Sequence, residues 1–157
     1  MEQVTMTGQE RRETADDRTV RGSAAYDMTS GEIARARAFV RDFLDTARSQ
    51  HDVTVSDRAV EIAQLVVSEL ATNVCKYAPG PCLLDIETDG TLLDIAMWDS
   101  GPVLPAASPA DPTRIGQHGL ELVLMVCQSF TVHREPVGKR IRVQIPLNGD
   151  PSAPNTW

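Results

Sequence analysis

The stretch from Asp57 to Ala78 constrains this chain most. Plotted at about 100° per residue, Ala59, Val60, Ala63, Val66, Val67, Leu70, Ala71, Val74 and Tyr77 fill one broad arc, and Glu61, Gln64, Ser68 and Thr72 lie opposite. A helix with such a face must bury it against something else. Ser56 or Asp57 offers an N-cap, and Pro79-Gly80 stops the helix. Two polar residues belong to neither face. Glu69 and Asn73 stand one turn apart at a border of the apolar arc, with Ile62 between them on the wheel.

Around this helix the hydrophobic period predicts the remaining elements. Upstream, Ile33, Ala36, Val40, Phe43 and Ala47 recur every three or four residues behind Ser30, which reads as the N-cap of a first helix. Thr19 to Tyr26 reads as a short edge strand, weakened by Gly22 and its small residues. Downstream, CLLDIETDG and TLLDIAMWDS flank Asp89-Gly90, a short hairpin signal. A Pro-, Gly- and Ser-rich loop follows, SGPVLPAASPADPTRIGQHG, of a length that is usually functional in a compact domain. Gly119 then opens a third helix, LELVLMVCQSF, with Leu120, Val123, Leu124 and Cys127 on its core face. FTVHRE and KRIRVQIPL close the order as a second hairpin about Pro136-Val137-Gly138. Helices grouped with antiparallel strand pairs predict an α+β fold, a two-layer sandwich with three helices on one face of a mostly antiparallel, mixed sheet. An open parallel nucleotide fold does not suit strands that fail to alternate one for one with helices.

At 157 residues the chain has room for one domain. We place it at residues 18–147, between a polar flexible leader (1–17) and a Pro/Asn/Gly/Ser-rich disordered tail (148–157). Lys+Arg 15 against Asp+Glu 22 leaves a net charge of −7, which argues against general binding to nucleic acid or anionic membranes. No apolar run is long enough to span a bilayer, and the N-terminus lacks the apolar core of a signal peptide. Cys75, Cys82 and Cys127 are odd in number and show no CxxC spacing, which argues against a disulfide scaffold or structural zinc site. Together these point to reduced thiols and a cytoplasmic location.

Three motifs carry chemistry. The Glu69/Asn73 pair lies on one side of a helix. An Asn amide oxygen is a hard ligand suited to Mg²⁺, which takes one or two protein ligands and completes its shell with water and phosphate. A Glu one turn away can act as a general base. Asp99-Ser100-Gly101 follows a strand, where a carboxylate can accept from the exocyclic amine of adenine and a glycine admits a flat ring. Gly116-Gln117-His118-Gly119 joins the long loop to a helix start, where free N–H groups and the helix dipole favour anions. Each motif alone also reads as ordinary structure: a surface Glu beside a locally bonded Asn, a simple turn, and a loop-to-helix junction. Their order describes a nucleotide pocket closed by a loop.

In that order, SELATNVCKYA resembles the N box of the GHKL ATPase superfamily, DSGPVLP its first glycine box and GQHGLELV its second. The stand-alone branch, that of anti-sigma-factor serine kinases and small regulatory ATP-binding proteins, is the most similar over residues 18–147. The resemblance implies a Bergerat-type ATP-binding sandwich with ATP and Mg²⁺ as cofactors. It implies Asn73 as the Mg²⁺ ligand, Glu69 as the catalytic base, Asp99 and Gly101 at the adenine, and Gly116, His118, Gly119 and Leu120 at the phosphates and hinges of a lid spanning 102–117. It further implies a protein serine/threonine kinase that binds a sigma factor and phosphorylates an anti-sigma antagonist, and a homodimer. The alternative within the same fold is a nucleotide-gated or catalytically inactive protein-binding module. The chain departs from the pattern at Val103, at His118 where Arg is common, and at Gly138-Lys139-Arg140, where relatives carry Thr.

Overall fold

The computed structural model describes residues 2–3, 19–101, 123 and 127–148. They form strands β1 (Glu2–Gln3) and β2 (Val20–Met28), a 3₁₀ turn (Ser30–Glu32), helices α1 (Ile33–Gln50) and α2 (Asp57–Tyr77), and strands β3 (Gly80–Thr88), β4 (Leu92–Asp99), β5 (Ser129–Arg134) and β6 (Lys139–Pro146). The strands make one six-stranded sheet in the order β1-β2-β3-β4-β6-β5. The fold is the expected α+β sandwich, with the helices on one face of the sheet.

The sheet among the described residues is antiparallel at every pairing rather than mixed. Connectivity is the reason. The β2–β3 link is a helical hairpin, so the chain leaves the end of β2, traverses the sheet twice and re-enters β3 beside Met28, with Gly80 paired to it. The Ser56 N–H donates to the Leu147 carbonyl at 3.0 Å, fixing the start of α2 at the far end of β6. Helix α2 therefore finishes where β2 and β4 finish and where β3 and β6 begin. Asp99 pairs with Cys82 on one side and with Lys139 on the other at that same end.

The inward row of each strand and the helix faces share one core. Fully buried Phe43, Leu44, Leu70, Leu84, Ile86, Leu93, Ile95, Met97, Ile141 and Ile145 fill it. In α1, Phe39 and Leu44 join the expected face, while Ile33 is only partly buried. Ser30 caps nothing: it begins the 3₁₀ turn, and α1 starts after Glu32 without a side-chain cap. Ser56 does cap α2, its Oγ accepting from the Ala59 N–H at 3.0 Å. Helix α2 stops at Tyr77, because Pro79 cannot continue it and Gly80 takes φ +122°.

Three expectations need correcting. Strand β2 runs nine residues and is not an edge, because Glu2–Gln3, inside the segment read as a leader, pair with Ala24 and Ser23. Gly22 does not weaken it: a Cβ there would sit 3.0 Å from Cδ1 of Phe43, so the missing side chain admits the aromatic ring. The third helix is expected through Phe130 and the second hairpin from that same residue; the structure gives both Ser129 and Phe130 to β5, paired with Gln144 and Val143. Of that helix, Val123 is described; it is helical and buried, and its carbonyl accepts from the Cys127 N–H at 3.0 Å. Residues 149–157 lie outside the described residues.

Candidate functional site

The last turns of α2 place its polar pair where the strand ends meet. Asn73 is one of the few buried polar residues, 4% exposed. Neither its amide oxygen nor its amide nitrogen has a hydrogen-bond partner among the described residues. An amide carries two donors and an acceptor, and leaving it dry and unmatched costs about 1–3 kcal/mol. Native chains keep such a group where something else is to meet it. Glu69, one turn earlier, is half-buried. Thr72 between them turns away, its hydroxyl donating to the Ser68 carbonyl at 2.7 Å.

Asp99 ends β4 with 1% exposure, and its Oδ1 accepts from the Gly101 N–H at 2.8 Å. Gly101 is buried against the end of α2: a Cβ on it would lie 2.3 Å from Cβ of Ala78. The glycine therefore ties the Asp99 turn to the helix that carries Asn73. Asn73, Asp99 and Gly101 are thus brought to one end of the sandwich. Gly116, His118, Gly119, Leu120 and the lid 102–117 lie outside the described residues.

The structure adds a residue that the site assignment had not included. Lys139 begins β6 directly opposite Asp99, and is itself 3% exposed. Its Nζ lies 2.8 Å from Oδ2 and donates to Oδ1 at 3.1 Å. The sheet register directs it to the Asp99 carboxylate. Counting inward residues back from the second hairpin places Lys139 on the core face, which is the signal that could have found it. On the other flank of Asp99 sits Cys82, whose thiol is pushed up to about 12 by burial, then by the charges of Asp99, Cys75 and Asp27. Cys75, on α2, is also raised by burial.

The opposite face of the sheet carries a shallow trough of about 280 Å³, lined among others by Arg21, Asp85, Glu87, Asp94, Arg140 and Arg142. Much of this charge is paired internally. Arg142 donates to both Asp94 oxygens at 2.6 and 2.7 Å, Gln144 adds a third bond at 3.1 Å, and Arg21 meets Glu87 at 3.3 Å. Burial pushes the Asp94 carboxyl up, but the bonds from Arg142 and Gln144 with the charges of Arg142 and Arg140 outweigh it and hold the group below the usual carboxylate range. The trough is separated from Asp99 and Asn73 by the thickness of the sheet.

A family model described as a histidine kinase-like ATPase domain matches residues 29–145. The match begins after β2 and ends inside β6, so it contains α1, α2, the first hairpin, and Glu69, Asn73, Asp99, Gly101 and Lys139. No curated protein matches the chain.

Proposed function

The chain belongs to the histidine kinase-like ATPase domain family, and as such is an ATP-binding protein; from that premise we propose that it is a Mg²⁺·ATP-dependent regulatory kinase of the cytoplasm. In this reading it transfers a phosphoryl group to a serine or threonine of an anti-sigma antagonist and sequesters a sigma factor in turn. The observation that carries the reading is the buried, unmatched amide of Asn73, at the end of the sandwich that also holds the Asp99 turn.

The residues present fit the cofactor. The amide oxygen of Asn73 is a hard donor without a partner, the type of single protein ligand that Mg²⁺ accepts beside phosphates and water. Bound Mg²⁺·ATP supplies the transferable phosphoryl group and neutralises its charge. Asp99 accepts from the base amine, and Gly101 leaves its wall flat. Glu69, half-buried and one turn before Asn73, would accept the proton of the attacking hydroxyl as a general base, with the nucleoside diphosphate as the leaving group. Transfer of label from radiolabelled ATP to candidate antagonist proteins tests this. Wild type should phosphorylate, and Glu69→Gln should bind Mg²⁺·ATP unchanged while transfer falls at least about a hundredfold, the usual contribution of a general base. Undiminished transfer by Glu69→Gln removes that residue from the role.

One observation favours a second reading, a nucleotide-gated or catalytically inactive binding module. The carboxylate meant for the base is already paired with Lys139. Absence of transfer to any partner, with partner binding that depends on ATP, would select it.

A further inference from the structure

We propose that Lys139 is an internal competitor for the nucleotide base, holding the Asp99 carboxylate in the place of an adenine amine and thereby setting the affinity and base selectivity of the pocket. The proposal deepens the ATP-binding reading and rests on Asp99 receiving the base. Both partners are buried, with side-chain exposures of 4% and 1%, and the ammonium reaches both carboxylate oxygens. Oδ1 also holds the Gly101 N–H. Both hydrogen bonds that the carboxylate accepts fall on Oδ1, while Oδ2 lies 2.8 Å from the ammonium as an ion-pair contact and has no hydrogen-bond partner among the described residues. Asp99 is the one partner of Nζ among the described residues.

The pairing is built by the sheet rather than by a mobile side chain meeting another. Asp99 and Lys139 are register partners on adjacent strands. Gly138, at φ +84°, packs so closely on the Asp99 backbone that a Cβ would fall 1.8 Å from its carbonyl oxygen. The hairpin is pressed against Asp99 and cannot carry Lys139 away as a unit. A base amine must therefore share the carboxylate or displace a buried ammonium, and displacement leaves a charge without a partner, which is costly. A base amine approaching Oδ2 meets a cation already 2.8 Å from that oxygen, so it gains less than it would from an unpaired carboxylate. A neutral residue at 139 removes the competitor and leaves the acceptor open. The ammonium also provides a donor, so a base with a carbonyl in place of the amine can be held by Lys139.

The test compares wild type with Lys139→Thr and Lys139→Met by titration calorimetry, with Mg²⁺·ATP and with Mg²⁺·inosine triphosphate, which carries a carbonyl in place of the amine. Both variants should bind Mg²⁺·ATP at least about tenfold more tightly than wild type, or about 1.4 kcal/mol. Their preference for ATP over inosine triphosphate should widen by a similar factor. Wild-type binding that neither variant improves overturns the competitor and leaves ATP binding standing. No binding by any of the three overturns the ATP-binding reading and the competitor with it. A second measurement needs no variant. The chain has two lysines, Lys76 and Lys139, and Lys76 is exposed. In ¹⁵N-lysine NMR of wild type, the Lys139 ammonium should be protected from exchange without nucleotide, and should shift or lose protection at saturating Mg²⁺·ATP. A Lys139 signal that does not respond at saturation refutes the proposal even if the variants fail to fold.

Discussion

Replacing Asn73 by Ala should make the nucleotide-free protein more stable while abolishing its response to Mg²⁺·ATP. The magnitude follows from the site. Asn73 is 4% exposed with both amide atoms unmatched, and removing such a group relieves about 2 kcal/mol. Alanine is the better helix former by about 0.5 kcal/mol, and the position lies inside α2. Against this, a residual cavity of roughly 30 Å³ at about 24 cal/mol per Å³ costs about 0.7 kcal/mol. The balance is a gain of about 2 kcal/mol, or roughly 4–8 °C in melting temperature for a domain of this size. In the wild type, a ligand at one hundred times its Kd adds about 2.7 kcal/mol to native stability; the variant should show none of it. The assay is thermal unfolding by circular dichroism with and without Mg²⁺·ATP. A variant that melts several degrees below wild type without nucleotide would show that the amide serves the fold. A variant that keeps the full ligand shift would show that it does not serve the nucleotide. Either result refutes the reasoning.

Two further outcomes follow from the same geometry. Gly101→Ala should destabilise by about 1–3 kcal/mol, as overpacking does, because its Cβ would meet Cβ of Ala78 at 2.3 Å; it should weaken nucleotide binding as well, and denaturant unfolding at wild-type stability would contradict this. Asp94, held low by Arg142 and Gln144, contributes stability that is present above the unfolded carboxylate range near pH 4 and is lost as pH falls through its lower folded value. Asp94→Asn should therefore cost up to about 1 kcal/mol at neutral pH, discounted for the exposure of Arg142, with the gap from wild type closing in the acid range; a gap that stays constant down to pH 2 would rule the pairing out as its cause.

Much of the fold was legible because periodicity survives in the chain as written. The α2 face, the Ser56 cap and the two hairpins each rest on contacts a few residues apart. The Asp89-Gly90 turn is such a case: Asp89 Oδ1 accepts from Thr91 and Leu92, and Gly90 takes φ +97°. Glu69 and Asn73 stood out for the same reason, as polar residues out of place on an otherwise two-sided helix. What misled were positions whose neighbours are distant in sequence. Gly22 looked like a weak strand residue until Phe43 packed over it, and Ser129-Phe130 looked helical until β6 paired with them.

From the order of its residues alone this chain was bound to form amphipathic helices and antiparallel hairpins, with an amide and a carboxylate one helical turn apart, because those features depend on spacing along the backbone. Tertiary structure alone decided that Asn73 is buried with its amide unmatched among the described residues, and that Lys139 closes on Asp99 across 40 residues of chain. Burial and strand register are properties of how elements stack, and a low-dielectric interior makes a buried amide and a buried ion pair energetically consequential.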